Sequence, residues 1–180
     1  MRPHLISFMI SGAFATFVSL PWAFAITGES VEGTASFLQK ATEDQQTEIV
    51  LARLALRNAA NEQVKAFGAL MIQDTQRANQ EVRFLAVKED VHLVTQLSEQ
   101  AIYQKAQLSR LIGKDFDQAY MAMMLRNHAK TIQEFERESS TDQDNEVRQW
   151  TTGAVPLLKE HLERAKTLAS ALGIDPAQSQ

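Results

Sequence analysis

The chain has 180 residues, enough for one domain with a core of its own and too few for two comfortable ones. A formal net charge of −4, with acids and bases alternating along the chain, argues against a nucleic-acid or other polyanion partner. The absence of cysteine excludes disulfides, thiolate metal sites and a lipid-modified cysteine, and only 7 Gly and 4 Pro among abundant Ala, Gln, Glu, Leu, Lys and Arg mark a helical protein.

Arg2 precedes an uncharged, mostly apolar run from Leu5 to Leu20. Pro21 then breaks any helix, and Ala23-Phe24-Ala25 places small residues where a signal peptidase reads. The pattern predicts a signal peptide over 1–25, cleavage after Ala25 and a mature periplasmic chain beginning at Ile26. An uncleaved anchor would need a similar length of apolar chain, but the proline followed by Ala-x-Ala belongs to a signal. No second long apolar run follows, so no membrane insertion is expected after cleavage.

Residues 26–33 are expected to form a loose leader, residues 34–173 a helical bundle domain and residues 174–180 a tail. The first helix is predicted over 34–60, with Phe37, Ala41, Gln45, Glu48, Ala52, Ala55 and Ala59 on one face. Asn61 can cap the second, predicted to reach residue 89, with Val64, Phe67, Met71, Thr75, Ala78, Val82 and Leu85 inward. A connector over 90–114 holds a short helix starting at Ser98 and Glu99 and running through Leu111, with Gly113 as a left-handed C-terminal cap. The third long helix, predicted over 115–139, turns Asp117, Tyr120, Met121, Met124, His128, Thr131 and Phe135 inward. Ser139 to Asp142 offer caps for a fourth over 143–172, whose inner face carries Val147, Trp150, Ala154, Leu157, Leu158, His161, Ala165 and Leu168. Pro156 should kink this helix, and Gly173 and Pro176 should end it. No segment alternates with period two. The expectation is an all-α four-helix bundle of two antiparallel hairpins, whose long link either crosses the bundle from end to end or lies across one end.

Each long helix carries a polar residue near the middle of its inner face: Glu48, Thr75 beside Asp74, His128 and His161. Carboxylates and imidazoles converging between helices are how bundles hold metal ions. A hydrogen-bonded polar core that fixes helix register accounts for the same residues and is the preferred reading. The Glu-x-x-His pairs of di-iron bundles are absent, because Leu125 and Leu158 stand three residues before the two histidines. Met121, Met124 and His128 share one face, with Met71 opposite; thioethers with an imidazole suit Cu(I), but methionine is also an ordinary core filler. There is no Gly-x-Ser-x-Gly elbow, phosphate loop or dinucleotide fingerprint, which weighs against an enzyme.

Three stretches resemble a known family: Phe116-Asp117-x-x-Tyr120 followed by His128, Leu157 to Leu162, and Val64-Lys65-Ala66-Phe67 leading to Met71-x-x-Asp74. The family is an exported bacterial one of unknown function with a ferritin-like four-helix bundle, often labelled as outer membrane proteins. The resemblance spans 36–172 and implies the ferritin-like crossover for the long link. It also implies that Glu48, Asp74, His128 and His161 occupy characteristic positions, with Thr75 standing where a histidine is usual. A non-enzymatic periplasmic binding or stress-related protein needing no cofactor is the expectation, with transition-metal binding or storage at Glu48, Asp74, His128 and His161 as the alternative. The partner is unknown, and assembly into a homo-oligomer is left open.

Overall fold

The computed structural model describes the backbone of residues 25–176 and the side chains of residues 33–176. The expected signal peptide therefore lies outside the described residues except for Ala25, as do the last four residues of the expected tail. Helix α1 spans Ala25–Asn58, α2 Glu62–Lys88, α3 Glu99–Ser109, α4 Gly113–Thr141 and α5 Asn145–Ala171. Among the described residues there is no strand, only an isolated bridge between Ala59 and Gly113.

The four long helices form two antiparallel hairpins, α1 with α2 and α4 with α5, and these are the most extensive pairings in the molecule. Gly113 lies beside Ala59, at the α1–α2 turn, although the connector leaves α2 at the opposite end after Lys88. The connector therefore runs the length of the bundle, and α3 packs chiefly on α1 as it goes. This is a ferritin-like four-helix bundle with a short helix in its crossover.

Local chemistry sets most of the ends. Asn61 accepts the Gln63 amide at the start of α2, and Ser98 accepts the Ala101 amide at the start of α3. Asp144, two residues past the expected Ser139–Asp142 stretch, caps α5 by accepting the Glu146 and Val147 amides. Asp142 is instead buried and accepts the Thr34 hydroxyl at 2.8 Å, tying the far ends of α1 and α4 together. Gly113 does adopt a left-handed conformation, with φ of 65°, but it opens α4 rather than closing α3, which ends at Ser109. Residues 26–33, expected to be loose, are helical: no proline interrupts them, and adding turns to an existing helix needs no new nucleus. Helix α5 runs through Pro156 without interruption; the ring is exposed there, so it meets solvent rather than a neighbouring helix.

The core is divided. One half, at the α1–α2 turn, gathers Leu51, Val64, Phe67, Met71, Phe116, Tyr120, Met121, Met124 and Leu125. The other, at the opposite end, gathers Phe37, Leu38, Ala41, Val82, Leu85, Phe135 and Val147, with Trp150 packed against it. Gly68 makes the close approach of α1 and α2 in the first half: a Cβ there would lie 2.9 Å from the Ala55 Cβ and 3.1 Å from the Ala52 carbonyl oxygen.

Candidate functional site

Between the two halves the inner faces turn polar. The helical period places Glu48 of α1, Asp74 and Thr75 of α2, His128 of α4 and His161 of α5 at one level, and all five line a single cavity of about 100 Å³. The same cavity has apolar walls from Ala41, Ala78, Phe135, Trp150, Ala154 and Leu158. It holds no Lys or Arg among its lining residues.

The two histidines are held differently. His128 is buried, and its Nδ1 lies 3.0 Å from the Met124 carbonyl oxygen. A carbonyl only accepts, so Nδ1 carries the proton. Burial first, then the neighbouring His161, lowers the His128 pKa to about 4 against the opposing pull of that carbonyl. The ring is therefore neutral near pH 7, with Nε2 as a lone-pair acceptor. His161 Nε2 lies 3.0 Å from Asp74 Oδ2, and Arg77 lies 3.5 Å from the other Asp74 oxygen. The two rings meet edge to face with centroids 5.7 Å apart.

Glu48 has no such support. As a residue it is half-buried, yet its Oε1 is covered and meets no hydrogen-bond donor. Burial, reinforced by Asp44, pushes its pKa up to about 7. The Tyr120 hydroxyl is likewise buried without a partner, and burial followed by the Glu48 carboxylate holds its ionisation well above the usual phenol range. Both atoms are exceptions to the rule that buried polar groups find partners.

All four residues singled out as metal ligands thus reach one cavity, but among the described residues no three His, Asp or Glu groups stand close enough together to hold a metal ion. Asp74 is engaged by His161, and Thr75 supplies a hydroxyl where an imidazole would complete a ligand set. As arranged, the donors do not fit a closed metal site. Met71, Met121 and Met124 are fully buried in the first core half, packed as fillers.

Some contributors were not marked in the sequence. Asp117 was placed on the inner face of α4, but its role is to accept the Ala60 and Asn61 amides at 3.1 and 2.9 Å, holding the α1–α2 turn. Asp44 and Asn127 line the cavity from positions beside the predicted stripes. A stripe one residue wide was too narrow to catch them, whereas an arc of about 100° per helix includes them.

The site and fold define a class: a ferritin-like helical bundle with a polar cavity midway along it. Residues 22–168 match the family described as a domain of unknown function, DUF4142, and the chain belongs to that family. A crystal structure of a DUF305 protein from Streptomyces coelicolor, described as secreted, is similar with a TM-score of 0.69 and 12% identity, covering 79% of this chain and 94% of that one. At this identity the likeness is one of fold. No curated protein matches the sequence. Among the described residues no helix is long and apolar enough to cross a membrane.

Proposed function

We propose that the chain is exported, loses residues 1–25 and works in the periplasm as a non-enzymatic binding protein, with a binding or stress-related role centred on the mid-bundle cavity. The observation that carries the binding role is the Glu48 carboxylate, whose covered Oε1 is left without a donor in a cavity that combines polar side chains with apolar walls. A buried polar atom left unpaired costs about 1–3 kcal/mol, so an occupant that supplies a donor gains that energy on binding. Catalysis has no comparable support: His161 is committed to Asp74.

Two measurements test the proposal. Mass spectrometry of the periplasmic fraction should give a chain beginning at Ile26; an intact Met1 in the membrane fraction would overturn export with cleavage. A thermal-shift screen of small molecules should raise the Tm of the wild type but not of Ala154→Phe, which fills the cavity with a ring. Equal shifts in both proteins would place binding elsewhere.

Transition-metal binding is the second reading, favoured by the neutral His128 ring, whose Nε2 keeps its lone pair and whose centroid lies 5.7 Å from that of His161. Glu48, His128, His161 and Asp74 would then be the ligands, with affinity weakened by Thr75. Thr75→His should raise Zn²⁺ affinity at least tenfold by calorimetry, and adding His161→Ala should remove the gain. Equal binding by all three proteins would end this reading.

A further inference from the structure

Resting on the cavity as a binding site, the geometry points to one class of occupant: a small organic cation, a protonated primary amine on a short apolar stem, with its ammonium group against Glu48. The cavity carries three carboxylates and no Lys or Arg. Two of the three are already answered. Asp44 pairs with Lys40 one helical turn away, and Asp74 pairs with His161 and Arg77. Glu48 makes no ion pair among the described residues, and its Oε1 makes no hydrogen bond. The missing element is a donor with positive charge.

An ammonium group fits because it offers three donors and no acceptor. Glu48 takes one, and the His128 ring, which lines the same cavity with its Nε2 lone pair free of the proton, is a second acceptor. A carboxylate ligand would meet like charge with no counter-ion. A neutral alcohol could donate once, leaving the charge of Glu48 uncompensated. Burial and Asp44 both work against an ionised Glu48, and a bound cation reverses that balance. At the other side, Phe135 and Trp150 lie with ring centroids 5.1 Å apart and, with Ala154 and Leu158, supply the apolar wall for a stem. Aromatic groups near a desolvated cation add attraction of about 0.5–2 kcal/mol. A volume of about 100 Å³ limits the guest to a few heavy atoms. The competing occupant is ordered water bridging Glu48 and Tyr120.

Calorimetry of the purified protein with n-butylammonium, n-butanol and butyrate separates these cases. n-Butylammonium should bind at least tenfold more tightly than n-butanol, and butyrate should not bind. Glu48→Gln, which keeps shape and removes charge, should bring n-butylammonium down to the level of n-butanol and leave n-butanol unchanged. An NMR titration of the wild type, following the Trp150 indole N–H and the His128 ring, locates the guest without any variant. If n-butanol matches n-butylammonium, or the Glu48→Gln protein keeps the preference, the cation inference falls while the cavity stays a binding site. If no organic probe binds, the cavity holds water and both readings fall. If Zn²⁺ binds and n-butylammonium does not, the inference falls in favour of the metal reading.

Discussion

The two ends of the bundle and the level between them are packed differently. At the ends, large side chains such as Phe116, Leu51 and Leu38 are fully enclosed; Asp117 takes two backbone amides, and Asp142 takes the Thr34 hydroxyl on one oxygen while its other oxygen is buried without a partner. At the middle level Glu48 leaves a covered oxygen without a partner, and packing gives way to a cavity lined by polar side chains from all four long helices. The ends therefore supply the stability that tolerates an unsatisfied middle. Local violation of packing rules of this kind is tolerated where the rest of the fold compensates for it.

The largest test of this contrast is Phe116→Ala, which removes a fully buried ring from the first core half and should lower stability by about 3–5 kcal/mol in urea unfolding. Thr75→Val, at the cavity wall, should cost far less; losses of similar size would erase the distinction between ends and middle.

Titration sharpens it next. The folded-state pKa of Glu48 is raised from 4.5 to about 7, so its contribution to stability is full below pH 4.5 and is lost as pH rises toward 7. His128 is lowered from 6.5 to about 4, so its contribution is full above pH 6.5 and is lost as pH falls toward 4. Between pH 4.5 and 6.5 the two slopes oppose each other. Glu48→Gln should therefore gain on the wild type as pH rises from 4.5 to 7, by up to about 3 kcal/mol. His128→Asn should lose ground over the rising range from pH 4 to 6.5. Unfolding curves at several pH values decide; parallel profiles would mean that neither group is as buried as the structure places it.

Gly68→Ala comes third. Its new methyl group meets the Ala55 Cβ and the Ala52 backbone, neither of which can swing aside, so a loss of about 1–3 kcal/mol should outweigh the gain in helix propensity. The smallest effect belongs to Pro156→Ala. The site is exposed and α5 is already continuous, so restoring the amide should leave the Tm unchanged or raise it slightly, within about 1 kcal/mol. A loss of helical circular dichroism would show that the ring is needed for packing.

The helices were legible because their inner faces repeat at three and four residues, and the same period put Glu48, Thr75, His128 and His161 at one level. The Asp74–His161 bond joins residues on different hairpins, so convergence could be foreseen but not which pairs would close. Spacing left the crossover's direction open because a linker of that length can reach either end of the bundle. The family resemblance supplied the direction, and contact between Gly113 and Ala59 fixes it. Asp142 read as a cap because its neighbours are solvated, although its partner Thr34 lies on another helix. Gly68 gave no signal at all: a glycine inside a helical pattern shows a close approach only when the facing Ala52 and Ala55 are known.

Asp117 also ties α4 to the α1–α2 turn in a fixed register. Each hairpin can form from contacts near in sequence, and the polar bonds between them then select the step at which they dock. A slide of about 5.4 Å, one helical pitch, would pull the carboxylate away from the Ala60 and Asn61 amides and leave both without their acceptor. It would also carry His128 past Glu48, dissolving the shared level on which any occupant depends. The carboxylate at the turn thus acts with the Asp74–His161 and Thr34–Asp142 bonds to hold the offset of the two hairpins, and with it the shape of a cavity that Asp117 does not touch.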